Sequence, residues 1–296
     1  MLRLRPAVAS CLLGLAAALI ALIVGDAPGG ARTDPDTGGL IAFTIGESGA
    51  PRPSQLAVMA ADGKHRRVLP PFDVDSGSWS PDGRSIVYGQ RSGIHKPSIW
   101  TTNVGGGPAR RIVRDGDSPD WSPDGRSIVF ERSGDIWVFD PNTRRQRRIV
   151  RQGRSPRWSP DGGKLVFERG RAQPALWVVA LAAKKERRLV RNGKFADWSP
   201  DGRKIVFERC PGTPPCFIYV VRADGTAERR LFEGGDPVWS PTGRQIAFLG
   251  ADARRGYHDA ITRARLDGSG RRVLFGQTPY CGCFLLGWSR HDGRRR

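Results

Sequence analysis

Short apolar runs alternate with turn signals along most of the chain, and one ten-residue phrase carries this pattern. Its five strong copies are WSPDGRSIVY from Trp79, WSPDGRSIVF from Trp121, WSPDGGKLVF from Trp158, WSPDGRKIVF from Trp198 and WSPTGRQIAF from Trp239. Ser-Pro-Asp-Gly predicts a tight turn, because Pro presets φ, Asp suits the third position and Gly supplies the left-handed conformation at the fourth. The β-branched and aromatic residues after it predict a strand. Each copy therefore predicts a hairpin.

Two further strands follow each hairpin. The third is exemplified by Asp135-Ile136-Trp137-Val138, and the fourth carries a pair of basic residues before apolar ones. These basic pairs are Arg110 and Arg111, Arg147 and Arg148, Arg187 and Arg188, Arg229 and Arg230, and Arg271 and Arg272. Counting a degraded sixth copy at Trp288, successive tryptophans lie 42, 37, 40, 41 and 49 residues apart. That period and four strands per repeat predict propeller blades.

The two ends of the repeat region complete the count of blades. Leu40-Ile41-Ala42-Phe43 matches the second strand of a blade with no tryptophan phrase before it, and Trp288 to Gly293 supplies the missing first strand. Sharing one blade between the ends closes the ring and leaves no open sheet edge. We therefore predict an all-β, six-bladed β-propeller of four-stranded blades over residues 40–293, as a monomer, with 294–296 as a basic tail. The repeated tryptophans, Trp79, Trp121, Trp158, Trp198, Trp239 and Trp288, are predicted to pack between blades.

Residues 1–31 have the layout of a secretory signal, with Arg3 and Arg5, an apolar stretch from Ala7 to Val24 and a segment of small residues. The apolar stretch is long enough to leave an uncleaved membrane anchor as the alternative. Residues 32–39 are predicted to be a linker. The sequence thus predicts an exported protein that is periplasmic, cell-surface or secreted, with membrane anchoring left open.

Four of the five cysteines lie after the predicted signal. Export would place them in a compartment where disulfides form. Cys210 and Cys216 flank a short Pro-rich loop and are the candidate pair. Cys281 and Cys283 leave two alternatives, a strained bridge or a zinc site shared with the first pair. The histidines, His65, His95, His258 and His291, fall in different repeats without metal-ligand spacing. We expect no metal and no cofactor.

The tandem WSPDG(R/K)xIxF phrase resembles the propeller repeat of the TolB family, over Leu40 to Gly293. TolB itself carries an α/β domain ahead of its propeller, and the segment between the signal and Leu40 has no room for one. The resemblance implies the six-bladed scaffold and the binding of protein partners or glycans in the envelope, not the specific Tol-Pal role. Similar repeats occur in peptidase propellers and in oligogalacturonate lyases, so the phrase indicates fold more than function.

The innermost strand of each propeller blade lines the central channel, so the residues before each tryptophan are the default ligand site. These mixed-sign candidates are Asp117, Asp120, Arg154, Arg157, Lys194, Asp197 and Asp236. The alternative is that they are solvated and pair with one another. No Gly-x-Ser-x-Gly elbow occurs, and no catalytic residue is assigned.

The formal net charge is +19, which favours an anionic partner. Because the basic pairs recur on the predicted outermost strands, they would form a basic rim around the disc, suited to anionic lipid or cell-wall polymers. The alternatives are that arginine reflects genome composition or guards edge strands. Nucleic acid is disfavoured, because an exported chain rarely meets it and no aromatic-interleaved basic motif occurs. The leading hypothesis is a non-catalytic binding scaffold for an envelope protein or anionic glycan or lipid; a lyase or hydrolase of acidic polysaccharide and a membrane-anchored sensor ectodomain are the alternatives.

Overall fold

A computed structural model describes residues 38–46, 54–91, 96–212, 215–252, 257–276 and 284–289. All of them belong to the compact unit Asp34–Arg296; the other unit is Met1–Thr33. The predicted signal, most of the predicted linker, His95, His291, the Cys281 and Cys283 pair, and the basic tail lie outside the described residues. Within those residues, no helix is long and apolar enough to cross a membrane.

The described chain contains 24 strands. In chain order they are β1 (Leu40–Ile45), β2 (Gln55–Ala60), β3 (Arg67–Phe72), β4 (Val74–Trp79), β5 (Ser85–Gln90), β6 (Ser98–Asn103), β7 (Arg110–Val113), β8 (Asp117–Trp121), β9 (Ile128–Arg132), β10 (Asp135–Phe139), β11 (Gln146–Val150), β12 (Arg154–Trp158), β13 (Lys164–Arg169), β14 (Ala175–Ala180), β15 (Lys185–Val190), β16 (Lys194–Trp198), β17 (Lys204–Arg209), β18 (Phe217–Arg222), β19 (Arg229–Glu233), β20 (Gly235–Trp239), β21 (Gln245–Asp252), β22 (Tyr257–Arg265), β23 (Arg272–Gly276) and β24 (Phe284–Trp288).

These strands form six antiparallel sheets of four, which confirms the predicted six-bladed β-propeller. Blade 1 has the order β24-β1-β2-β3, and blades 2 to 6 are β4–β7, β8–β11, β12–β15, β16–β19 and β20–β23. Each repeated tryptophan ends the innermost strand of its blade, and each basic pair lies on or beside the outermost strand.

The ring closes through the two ends of the described propeller, as predicted, but the closing strand differs from the predicted segment. β24 ends at Trp288, so the strand lies mainly before that residue and not after it. Trp288 pairs with Ile41, and Leu285 pairs with Phe43. Ser289 Oγ then accepts a hydrogen bond from Leu40 N at 3.1 Å. Residues 290–293 of the predicted segment lie outside the described residues.

The tight turn after each innermost strand has the predicted geometry. Gly83 has φ 65°, and its N–H donates to Ser80 O at 2.9 Å. Ser80 Oγ donates to Asp82 Oδ1 at 2.6 Å, and the same Ser–Asp bond recurs in the next three turns. The hydrogen bond from Ser122 lowers the pKa of Asp124. These aspartates therefore stabilise the turns by accepting hydrogen bonds within them.

One buried aromatic per second strand fills the interior of each blade. The set comprises Phe43, Tyr88, Phe130, Phe167, Phe207 and Phe248, all fully buried. The tryptophans pack against these blade cores. Apolar side chains of adjacent blades share clusters, such as Val166 of blade 4 with Phe207 of blade 5. Interblade packing is therefore the main contact between repeats.

A repeated arginine follows the Phe-Glu pair at the end of the second strand in blades 3, 4 and 5. Arg169 donates to Gln152 O and Arg151 O, both at 2.9 Å, and stacks over Trp177 at 4.7 Å. Arg132 and Arg209 make the equivalent contacts. Each arginine thus fixes the loop that enters its own blade. Part of the arginine excess therefore has a structural role.

Candidate functional site at the channel mouth

The innermost strands of all six blades surround a central cavity of about 510 Å³. The strands enter at one mouth, lined by residues such as Ser118, Ser155 and Phe195, and leave past the Ser-Pro turns at the other. The residues predicted from the sequence lie on the innermost strands, from the entry mouth inward, so the candidate site is built there.

A β-bulge shapes the entry mouth. The register of β8, β12, β16 and β20 shifts within the first four residues of each strand. At each shift one residue takes a positive φ: Ser118 (48°), Ser155 (47°), Phe195 (51°) and Asp236 (48°). A bulge of this kind turns one backbone N–H out of the ladder, and that donor then needs another acceptor.

Carboxylates from neighbouring strands accept these bulge N–H groups. Phe195 N donates to Glu168 Oε1 at 2.9 Å, and Asp236 N donates to Glu208 Oε2 at 3.0 Å. In blade 1, Leu285 N donates to Asp236 Oδ2 at 2.6 Å. At each of these blade junctions, a carboxylate therefore fixes the backbone at the start of the innermost strand of the next blade.

Blade 2 departs from this arrangement in an instructive way. Gly89 occupies the position of the glutamates, and Asp117 Oδ1 accepts the N–H of Ser118 instead, at 2.6 Å. A Cβ at Gly89 would lie 2.6 Å from that same Asp117 oxygen. The glycine thus leaves room for a carboxylate supplied by the next blade.

Burial shifts the pKa values of these carboxyl groups. Desolvation, together with the charge of Asp117, raises the pKa of Glu131 to about 7. Desolvation raises the pKa of Asp236 to about 7 against the opposing hydrogen bond from Leu285. The pKa of Glu168 is also raised by burial. The mouth therefore contains carboxyl groups that titrate close to neutral pH.

Deeper in the channel, one arginine lies among carboxylates. Arg157 Nη1 is 3.6 Å from Asp120 Oδ1 and donates to Gly77 O, two blades away, at 3.1 Å. Asp120 Oδ2 also accepts the N–H of Trp158 at 2.7 Å, and Asp197 Oδ2 accepts that of Trp239 at 2.7 Å. Burial raises the pKa of Asp197 to about 6. Arg157 thus bridges the channel.

Four of the seven predicted mouth residues, Asp120, Arg157, Asp197 and Asp236, line the central cavity. Asp117, Arg154 and Lys194 are the first residues of their innermost strands and are not among the residues that line it. Most of the seven have partners within the protein. Asp117 pairs with Arg91 at 3.2 Å, and Lys194 pairs with Glu208 at 3.0 Å. Arg154 donates to Gly170 O. Phe195, by contrast, is one of only two large hydrophobic residues exposed in the described part of the chain, at 36%.

The predicted basic rim lies on the outer edge of the disc. All ten arginines are exposed. Arg148 forms an ion pair with Asp135 at 3.0 Å, which is the only ion pair made by a rim arginine among the described residues. Arg111, Arg230 and Arg271 stack over aromatic rings. Most of the rim charge is therefore not neutralised by carboxylates.

Cys210 and Cys216 form a disulfide with their Cα atoms 4.2 Å apart. The bridge flanks the paired residues Arg209 and Phe217 of a hairpin. Glu208 Oε1 lies close to both sulfurs. Because the sulfurs are bonded to each other, this group offers one carboxylate and no thiolate to a metal ion.

The Trp-Ser-Pro-Asp-Gly turns, the six blades and the closed ring are the features by which a propeller family is defined. The TolB beta propeller domain model matches residues 117–278. The chain belongs to this family. The matched region covers blades 3 to 6.

Solved structures share the TolB-like fold at low sequence identity. TolB from Acinetobacter baumannii is similar with TM-score 0.72 and 22% identity, over 86% of this chain and 67% of that one. A putative TolB from Agrobacterium tumefaciens gives 0.63 and 19%, over 84% and 97%. An oligogalacturonate lyase from Vibrio parahaemolyticus gives 0.53 and 13%, over 82% and 75%. No curated protein matches the chain.

Sequence reasoning missed Glu131, Glu168 and Glu208. The signal was present, because Val-Phe-Glu-Arg recurs after three consecutive turns, at Val129, Val166 and Val206. A glutamate at the end of a buried strand needs a buried partner. That the partner is the bulge N–H of the next blade depends on the ring geometry, which no single repeat contains.

Proposed function

We propose that the protein is a non-catalytic binding scaffold, exported to the cell envelope or beyond, that holds an anionic partner. The channel mouth is the site for a protein segment, and the basic rim is the site for anionic glycan or lipid. Phe195 at the mouth is the observation that carries the first part. The basic rim, with a single ion pair among its described arginines, supports the second.

Phe195 departs from its repeat at a cost. Its equivalents in blades 3, 4 and 6 are Ser118, Ser155 and Asp236, which are short polar residues that tolerate a left-handed backbone better. A bulky side chain in that conformation costs roughly 1–2 kcal/mol. Strain of this size persists where the surroundings impose it, and it concentrates at ligand sites. The bond from Phe195 N to Glu168 imposes it here.

The surroundings of Phe195 define the chemistry of its partner. Lys194 Nζ lies 5.0 Å from the centre of the phenyl ring, and Leu285 lines the same cavity. An exposed aromatic ring beside a cation suits a segment that presents an apolar side chain next to a carboxylate. The channel volume of about 510 Å³ admits a few residues of such a segment.

A matched substitution tests the mouth. Phe195→Ser installs the residue that blades 3 and 4 use at this position, so the fold should be retained and its thermal stability unchanged or raised. Immobilised wild-type protein should capture a partner from envelope extracts at low salt, and Phe195→Ser should reduce its affinity about tenfold or more, as for a central aromatic anchor. Equal capture by both proteins would contradict the role of the mouth.

The rim is tested separately with anionic polymers. Binding to polygalacturonate or to vesicles containing phosphatidylglycerol should weaken steeply between 50 mM and 500 mM salt, roughly the range over which the screening length falls from above 10 Å towards 3 Å. Arg147→Gln and Arg229→Gln together should reduce it further. Binding indifferent to salt would refute the electrostatic role of the rim.

An enzymatic alternative has one observation in its favour. Glu131 has a pKa of about 7 at the mouth, close to the charge of Arg154, as a general acid or base acting on an acidic polysaccharide requires. Purified protein incubated with polygalacturonate should then release unsaturated or reducing products, and these should disappear in Glu131→Gln, Arg157→Ala or Lys194→Ala. Absence of product with the wild type favours the scaffold.

The N-terminal segment determines how the scaffold is held. N-terminal sequencing of the exported protein distinguishes the two proposals: a start near Arg32 supports a free secreted or periplasmic propeller, whereas retained Met1 supports an anchored ectodomain. Sedimentation of the released form should give a monomer.

A further inference from the structure

The outer two strands of blades 3 and 4 share the same register but differ at one hydrogen-bond acceptor. In blade 3, Asp135 at the start of β10 accepts hydrogen bonds from Arg148 Nη1 and from Gln152 N, both at 3.0 Å. One carboxylate thus satisfies a rim arginine and a backbone N–H in the loop that follows the outermost strand. Blade 4 has Ala175 at the position of Asp135.

The backbone of blade 4 keeps the geometry that receives the carboxylate in blade 3. Trp137 pairs with Arg148 across a register shift, and Trp177 pairs with Arg188 across the same shift. The residues donating the backbone N–H also match, since Gln152 has φ 54° and Asn192 has φ 52°. Arg188 and the Asn192 N–H are therefore arranged like Arg148 and the Gln152 N–H.

Both donors in blade 4 lack the acceptor that blade 3 provides. Over the described ranges, Arg188 has no ion pair or ring contact, and Asn192 N–H has no hydrogen-bond acceptor. The equivalent arginines of blades 2 and 5 do have partners, because Arg111 stacks over Trp100 and Arg230 stacks over Phe217. Of these four equivalent arginines, Arg188 alone has no protein partner in the described part of the propeller.

The space beside these donors is open. Arg188, Arg191 and Asn192 line a crevice of about 530 Å³ together with Arg209 and Glu228 of blade 5. Glu228 accepts hydrogen bonds from Arg209, whose Nη1 and Nη2 atoms lie 2.5 Å and 3.2 Å from the two carboxylate oxygens. Arg209 also donates to Arg191 O and Asn192 O. The remaining positive charge, on Arg188 and Arg191, faces solvent.

We propose that the crevice between blades 4 and 5 is an anion site that takes a carboxylate or phosphate group of a polymer in place of the Asp135 side chain. A guanidinium and a backbone N–H on one oxyanion make charge-assisted hydrogen bonds. This inference rests on the proposed rim function and gives it a specific site. The two oxyanions are distinguished by experiment, with oligogalacturonate as the carboxylate probe and a poly(glycerol phosphate) fragment as the phosphate probe.

Blade 3 indicates the substitution that tests the site, because Asp135 provides the acceptor that blade 4 lacks. Ala175→Asp should place a carboxylate against Arg188 and Asn192 N, as in blade 3, and reduce affinity for the preferred probe about tenfold, the scale of one charge-assisted hydrogen bond. Ala175→Asn is the neutral control and should bind within about twofold of the wild type. The reverse change, Asp135→Ala, should open a second site and raise the binding stoichiometry by one.

The outcomes separate this site from the rim as a whole. If the wild type binds a polymer and Ala175→Asp binds it equally well, the crevice is refuted while the rim stands. If neither polymer binds, the rim proposal fails, and the crevice is judged by titrating inorganic phosphate while recording the Asn192 amide resonance. A shift lost in Ala175→Asp supports the crevice, and no shift in the wild type refutes it.

Discussion

Asp236 is a buried carboxylate at the junction where the ring closes, and its replacement by asparagine should stabilise the protein above neutral pH. Asp236 is 8% exposed and accepts the N–H of Leu285, in the closing strand, at 2.6 Å. Asparagine keeps a carbonyl oxygen for that bond and removes the charge. The test therefore separates the hydrogen bond from the cost of burying the carboxylate.

The magnitude follows from the raised pKa. Burial moves the pKa of Asp236 from 3.8 to about 7, so the ionised form is less favourable in the folded than in the unfolded state. Such a group lowers the free energy of unfolding progressively from about pH 4 to pH 7, and a rise of this size corresponds to about 4 kcal/mol at higher pH. The asparagine NH₂ must also be desolvated, which costs about 1–3 kcal/mol. A net gain of about 2 kcal/mol, or roughly 4–8 °C in Tm, is expected at pH 8.5.

Urea unfolding at pH 4.5, 6.5 and 8.5 measures this gain. The difference between Asp236→Asn and the wild type should be largest at pH 8.5 and should shrink towards pH 4.5, where Asp236 is protonated in the folded protein. Asp267→Asn, in an exposed turn, is the control and should show no such trend. A variant less stable than the wild type at pH 8.5 would refute the reasoning, because the charged hydrogen bond to Leu285 would then outweigh burial.

Three further substitutions and one truncation test the packing between and within blades by thermal unfolding. Tyr88 Oη is buried with no hydrogen-bond partner in the described chain, so Tyr88→Phe should raise stability by about 1–3 kcal/mol, whereas the converse Phe130→Tyr should lower it. Arg169→Lys removes the paired bonds to two loop carbonyls and should cost about 1–3 kcal/mol. Ending the chain after Leu286 removes the Trp288–Ile41 pair and should destabilise the whole disc, so that an unchanged melting curve would contradict ring closure through β24.

The fold could be predicted because each repeat encodes its own blade. Ser-Pro-Asp-Gly determines a turn locally, through the φ of Pro, the acceptor oxygen of Asp and the positive φ of Gly. The strand order of a blade then follows from short connections. The predicted closing strand lies too far towards Gly293, because the prediction begins it at the tryptophan of the degraded copy, Trp288. In every other blade the strand lies before that residue.

The site was predicted only in part, because its chemistry lies between blades. The sequence located the mouth residues on the innermost strands, yet could not show that Asp197 accepts Trp239 N–H or that Lys194 pairs with Glu208. These contacts join residues in different strands or in adjacent repeats. A sequence pattern with one period per blade describes each blade and says little about the junctions.

We therefore expect differences between blades to carry the functional information in this protein. A residue shared by all blades is explained by turn, strand or packing, since it recurs where the same structure recurs. Phe195 in place of a short polar residue keeps a strained backbone and exposes an aromatic ring. Ala175, at the position where blade 3 has Asp135, leaves Arg188 and the Asn192 N–H without the acceptor that blade 3 provides. Both changes cost stability or leave interactions unmade within the chain. A ligand that packs on the ring or supplies the missing oxyanion would recover those interactions, which is why the two positions, on adjacent blades, define the surface we expect partners to contact.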